Sequence, residues 1–110
     1  MRLLDIIHAV IRNPYCQPFE LRSGEIVELE VTAPSSIYLM TTDNLARYRA
    51  GRKDYVAEAS LPFASRVELV AHKAGVWYLV SERPLEGVCH LRRGLEVRTA
   101  RLHLTRSKTR

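Results

Sequence analysis

After Pro14 the spacing of apolar residues changes from a helical to a strand repeat, and nothing else in the sequence constrains the fold so strongly. Before that point, Leu3, Leu4, Ile7, Val10 and Ile11 line one stripe of a helix, with Arg2, Asp5, His8 and Arg12 mostly opposite. Asn13-Pro14 ends the pattern, because the residue before a proline avoids the helical region. Beyond it the repeat is two. In EIVELEV, Val27, Leu29 and Val31 point one way and Glu28 and Glu30 the other, the mark of a half-buried strand. SIYLMT, DYVAEA, RVELVAHK, GVWYLVSE, EGVCHL and GLEVRTARLHL follow as further strands. Turn signals such as Ser23-Gly24, Ala74-Gly75, Arg83-Pro84 and Arg93-Gly94 separate the runs.

Short strands with turns every ~8–12 residues predict an all-β fold, an antiparallel β-sandwich of about seven strands. The expected organisation is an N-terminal helical segment over residues 1–13, a sandwich domain over residues 14–104 and a flexible basic tail over residues 105–110. A chain of 110 residues is one domain, long enough to bury a core without staples.

Charge is spread unevenly. Residues 92–110 hold seven Lys/Arg against Glu96 alone, while residues 1–91 hold ten basic and eleven acidic residues. The surplus therefore belongs to the C-terminal end, which argues against the whole surface being a nucleic-acid footprint. Arg106, Lys108 and Arg110 suit either loose contact with an anionic polymer or simple solvation. Cys16 and Cys89 have no CxxC spacing, no export signal is evident, and no apolar run reaches the ~18 residues of a membrane span. These features predict a cytoplasmic protein with two free thiols and no membrane role.

The stretch TTDNLARYRAGRKDYVAEA concentrates cations and tyrosines between two strands. One reading is structural. Thr42 or Asp43 caps a short helical crossover from Asn44 to Tyr48, Gly51 stops it, and Arg47 and Arg49 sit at the negative end of its dipole. The other reading is a site: Arg47, Arg49, Arg52 and Lys53 contact phosphates or an acidic partner while Tyr48 or Tyr55 stacks on a base. Asp54 and Glu58 dilute the positive field, which favours the structural reading.

Catalytic and metal patterns are sparse. His8, His72, His90 and His103 lack metal-ligand spacing, Ser35-Ser36 has no nucleophile-elbow context, and no glycine loop could cradle phosphate. Glu28 and Glu30 share a strand face, which serves solubility more often than acid–base chemistry. No enzyme activity, cofactor or metal is expected. Tyr78 aligns with Val76 and Val80, and Trp77 with Leu79, so this strand is apolar on both faces. Its second face calls for a cover, either the N-terminal helix or a second subunit.

The segments LRSGEIVELEV, IYLMTTDNLARYRAGR and AGVWYLV resemble the bacterial family termed domain of unknown function 1883. The likeness rests on the Leu39-Met40 strand end, the polar Asp43 and Asn44, the spacing of Tyr48, Gly51 and Arg52, and Gly75 followed by Trp77, over residues 19–100. It implies a compact bacterial β-sandwich. Relatives joined to signalling domains of the Toll/interleukin-receptor type imply an accessory or sensing module, and no reaction is implied. The expected function is a non-enzymatic module working by protein–protein contact or self-association, through the N-terminal helix or an edge strand. The alternative is a binder of nucleic acid or another phosphate-bearing ligand through Arg47 to Lys53 and the basic tail.

Overall fold

A computed structural model describes residues 12–31, 36–59 and 66–106. The strands are β1 (Tyr15–Leu21), β2 (Ile26–Glu30), β3 (Ile37–Thr41), β4 (Glu58–Ala59), β5 (Arg66–Val70), β6 (Gly75–Ser81), β7 (Glu86–Arg93), β8 (Glu96–His103) and β9 (Thr105–Arg106). One helix, α1 (Thr42–Arg49), follows β3. The first sheet has the order β4-β3-β6-β1-β9 and the second β5-β2-β7-β8. All pairings are antiparallel. The all-β sandwich expected from the period-two pattern is the observed fold.

Alternation places the core. From the second sheet, Val27, Leu29, Val67, Leu69, Cys89 and Leu91 point inward; from the first, Phe19, Leu21, Ile37, Leu39, Trp77 and Leu79 meet them. Burying each large apolar side chain contributes about 1.5–3 kcal/mol, so this shared layer is the main term holding the sheets together. Trp77 brings one polar atom into the layer, and its indole N–H donates to the Lys73 carbonyl at 2.9 Å.

Three elements depart from the pattern. β1 is a seven-residue strand that Pro18 disguises. Because β9 pairs with it only at Tyr15 and Cys16, the rest of that side is an edge, where a sheet tolerates a proline. DYVAEA forms strand only at Glu58–Ala59. Finally, GLEVRTARLHL breaks at Leu104, which is buried at the corner and donates its N–H to the Leu85 carbonyl at 3.1 Å. Thr105–Arg106 then join the first sheet as β9, so they belong to the sandwich and not to a flexible tail. Arg106 is anchored further by its guanidinium, 4.5 Å over the Tyr15 ring. Lys108 and the N-terminal stretch of residues 1–11 lie outside the described residues.

Helix α1 begins at Thr42, two residues earlier than expected, after Thr41 in extended conformation. Gly51 ends it with φ 76°. There the Arg52 N–H reaches the Arg47 carbonyl and the Gly51 N–H the Tyr48 carbonyl, both at 3.1 Å. These two bonds form the Schellman closure that a left-handed glycine permits. Leu45 and Tyr48 pack down onto Cys16, Met40 and Val80, flanked by Tyr38, Tyr55 and Tyr78. Among the described residues the cover on the second face of β6 is α1 and the loop after it; the N-terminal helix that the sequence suggested as a cover lies outside the described residues.

Candidate functional site

The cations of the α1 region do not converge. Arg47 is exposed and donates to Asn44 Oδ1 at 3.3 Å. Arg49 turns inward, its Nη2 3.1 Å from Cys16 Sγ. Arg52 clamps Asp54, with Nε 2.8 Å from Oδ1, and this contact holds the Asp54 carboxyl below its ordinary range. Lys53 stays exposed. Asn44 organises the segment: its Oδ1 accepts the Val56 N–H and its Nδ2 donates to Thr41 Oγ1, each at 2.8 Å.

The tyrosines are committed as well. Tyr48 is 3% exposed and its hydroxyl donates to the Glu82 carboxylate at 2.8 Å. Burial first, then that hydrogen bond, drive its phenol far above the ordinary value. Tyr48 therefore cannot stack on an incoming base, which corrects the role suggested by the sequence. Tyr55 meets it edge-on at 5.0 Å, and Tyr38 lies 5.9 Å from Tyr48. Into this cluster comes Arg12, its guanidinium 4.5 Å from the Tyr48 centroid and 5.5 Å from that of Tyr55. The Arg12 N–H donates to the Arg49 carbonyl at 2.9 Å, closing the end of α1. A cation site lined by tyrosine exists, and the chain's own arginine fills it.

The outer face of the second sheet carries a charge ladder. Arg66 lies 2.8 Å from Glu28, and Arg92 lies 3.5 Å from both Glu28 and Glu68. The hydrogen bond from Arg66 holds Glu28 below the ordinary carboxylate range. The cross-strand neighbour of Glu28 is Glu68; Glu30 sits opposite Arg66. Among the described residues no group of three or more His, Cys, Asp or Glu could hold a metal ion. Cys16 and Cys89 are buried free thiols, and burial pushes Cys89 up to about 11. Among the described residues no helix is long and apolar enough to cross a membrane.

The edges of the sheets differ sharply. The first sheet ends in two-residue strands, β4 and β9. The second ends in β5 and in the eight-residue β8, which among the described residues pairs with β7 alone. Gly94, at φ 58°, takes the first place of the two-residue Gly94-Leu95 connection, where the primed hairpin turns need positive φ. From that turn the hydrogen-bonding alternation directs the backbone groups of Val97, Thr99, Arg101 and His103 away from β7. Gln17 fits this phase: its Nε2 donates to the Arg101 carbonyl at 2.9 Å and its Oε1 accepts the His103 N–H at 2.8 Å. A side-chain amide from β1 thus plugs one half of the β8 edge. Among the described residues no strand pairs with this edge at Val97 and Thr99. Val97 is 57% exposed and Leu95, at the hairpin tip, 103%.

The opposite face of β8 ties the hairpin down. Arg98 Nη2 reaches both oxygens of Glu25, at 3.0 and 2.9 Å, and the Arg22 N–H donates to Glu25 Oε1 at 2.9 Å. Glu25 is 0% exposed. Burial acts to raise its pKa, but the Arg22 N–H and the Arg98 guanidinium outweigh that and leave it below the ordinary value. Arg22 Nη1 also meets Glu96 Oε1 at 3.3 Å. An open cleft of about 480 Å³ runs beside these groups, lined by Glu20, Arg22, Gly75, Glu96 and Arg98. Gln17 and the pairing of Glu25 with Arg98 escaped the sequence reading, because only the fold brings them together; the Arg93-Gly94 turn between two alternating runs was the visible signal for this hairpin. No protein-family model, curated protein or solved structure matches the chain, and its likeness to domain of unknown function 1883 rests on the quoted motifs alone.

Proposed function

We propose that this protein is a non-enzymatic interaction module that takes up another polypeptide by strand addition along β8. The observation that carries this reading is the half-filled edge: Gln17 satisfies Arg101 and His103, while among the described residues the outward-directed backbone groups of the exposed Val97 and Thr99 meet no strand. Natural sheets normally blunt or cover such edges, as the two-residue strands and Pro18 do in the first sheet. An open edge beside an exposed valine and leucine offers backbone bonds for affinity and side-chain contacts for selectivity. The resemblance, which implies an accessory or sensing module, agrees, and the free thiols suit a bacterial cytoplasm. The phosphate-binding alternative is the weaker one, since Arg49 and Tyr48 are turned inward and Arg52 is held by Asp54.

The test uses a peptide carrying residues 94–100 of the chain as a generic strand donor, followed by amide NMR of the intact protein. The expected result is a shift and slowed exchange at the Val97 and Thr99 amides, absent in Val97→Pro. Perturbation confined to the outer face of the second sheet, or none at any peptide concentration, overturns the reading.

A further inference from the structure

We infer that the strand which occupies this edge is β8 of a second copy of the chain, antiparallel across a two-fold axis through Val97. This inference rests on the strand-addition reading above. In a two-fold antiparallel pair, residues with outward backbone groups must face one another, so only a few registers are available. An axis through Arg98 sets two guanidinium groups directly opposite each other, which repel. An axis through Thr99 pairs Val97 with Arg101 of the second copy, whose carbonyl Gln17 already occupies. An axis through Glu96 opposes two carboxylates and runs pairing into the Gly94-Leu95 turn.

The axis through Val97 avoids the like-charge and Gln17 conflicts, and only its outermost pair, Leu95 with Thr99, reaches the turn. Val97 faces Val97 of the second copy, each N–H donating to the other's carbonyl. Glu96 faces Arg98 of the second copy, and Arg98 faces Glu96, two opposite-charge pairs related by symmetry. Leu95 comes against Thr99, placing exposed apolar surface on one face of the junction. Existing contacts survive: Arg98 uses only Nη2 for Glu25, and Glu96 uses only Oε1 for Arg22. Each keeps further atoms for the partner. Two four-stranded sheets then become one continuous sheet across the axis. Gln17 sets the length of the pairing, because zipping stops where its amide begins. So short a junction falls below the ~1,200 Å² typical of stable complexes, and a concentration-dependent monomer–dimer equilibrium is expected.

The experiment is sedimentation equilibrium of the full chain from micromolar to millimolar concentration, combined with cysteine trapping. The expected result is reversible dimerisation that Val97→Pro abolishes and Glu96→Lys weakens roughly tenfold, by turning both charge pairs repulsive. Directly opposed residues in such a pair lie about 5.5 Å apart at Cα, within disulfide range, so Val97→Cys cross-links under mild oxidant whereas Thr99→Cys does not. The native cysteines are buried and do not compete. Circular dichroism of Val97→Pro confirms that the fold persists, since the substituted N–H faces outward; if it does not persist, Glu96→Lys and the cysteine pair decide. A chain that stays monomeric, or cross-links equally through Thr99→Cys, overturns the inference. If the residue 94–100 peptide still perturbs Val97 and Thr99 in that monomer, the edge serves a different polypeptide and strand addition stands; if it does not, both readings fall.

Discussion

The two outer faces of the sandwich meet opposite fates. On the first sheet, Cys16, Met40, Tyr78 and Val80 lie beneath α1 and the loop that follows it. On the second, Glu28, Glu68 and Arg92 form a charge ladder in which Glu68 is exposed and Glu28 is half-buried beneath the arginines. The difference begins in the strands themselves. β3 and β6 are apolar on both faces and require a roof, whereas β2 and β5 alternate cleanly and require none. The roof in turn absorbs Arg49, Tyr48 and Tyr55, which, read as sequence, belonged to a phosphate site.

The sharpest way to break this contrast is to damage the roof. Leu45→Ala is expected to cost about 2–5 kcal/mol, seen as a lower urea midpoint, because it opens a cavity beneath the helix. A loss under ~0.5 kcal/mol would show that α1 is not needed to cover the sheet. Next comes Glu25→Gln, which weakens the tie between the β8 hairpin and the Arg22 turn by about 1–3 kcal/mol. Its sign with pH is fixed. The folded-state pKa of Glu25 lies below its ordinary 4.5, so its contribution is full above that value and is lost as pH falls through the depressed one. Wild type and Glu25→Gln should therefore converge in thermal stability under acid and separate toward neutral pH. Equal gaps at both would remove Glu25 ionisation from the account.

Arg12→Ala should lower stability by about 0.5–2 kcal/mol by emptying the tyrosine cluster, and Arg12→Lys should restore part of it. The smallest effect belongs to the bare face. Glu68→Gln removes one exposed charge from the ladder and should shift the urea midpoint by less than ~1 kcal/mol, a difference that high salt erases. An effect as large as that of Leu45→Ala would mean that the two faces are equally essential, and the contrast would collapse.

Alternation made most of this fold legible. Val27-Leu29, Val67-Leu69 and the doubly apolar β6 appear in sequence as they appear in space. What stayed hidden was long-range. Pro18 disguised β1, since nothing local shows which side of a strand is an edge. The part of the roof supplied by α1 went unassigned because only contact shows where its short apolar stripe, Leu45 and Tyr48, packs. The plug on β8 joins Gln17 to Arg101 across 84 positions. No periodicity encodes such a meeting, and a lone glutamine in a strand gives no warning of it.

Trp77 has a practical consequence. It is the chain's one tryptophan, 2% exposed in the layer between the sheets, with the His72 ring edge-on at 5.0 Å. Its fluorescence is therefore a built-in gauge of sheet separation, blue-shifted while the layers stay closed and red-shifted when water enters. The chromophore is spectrally deaf to events at the β8 rim. A binding signal there and an unfolding signal here can be read from one sample without confusion.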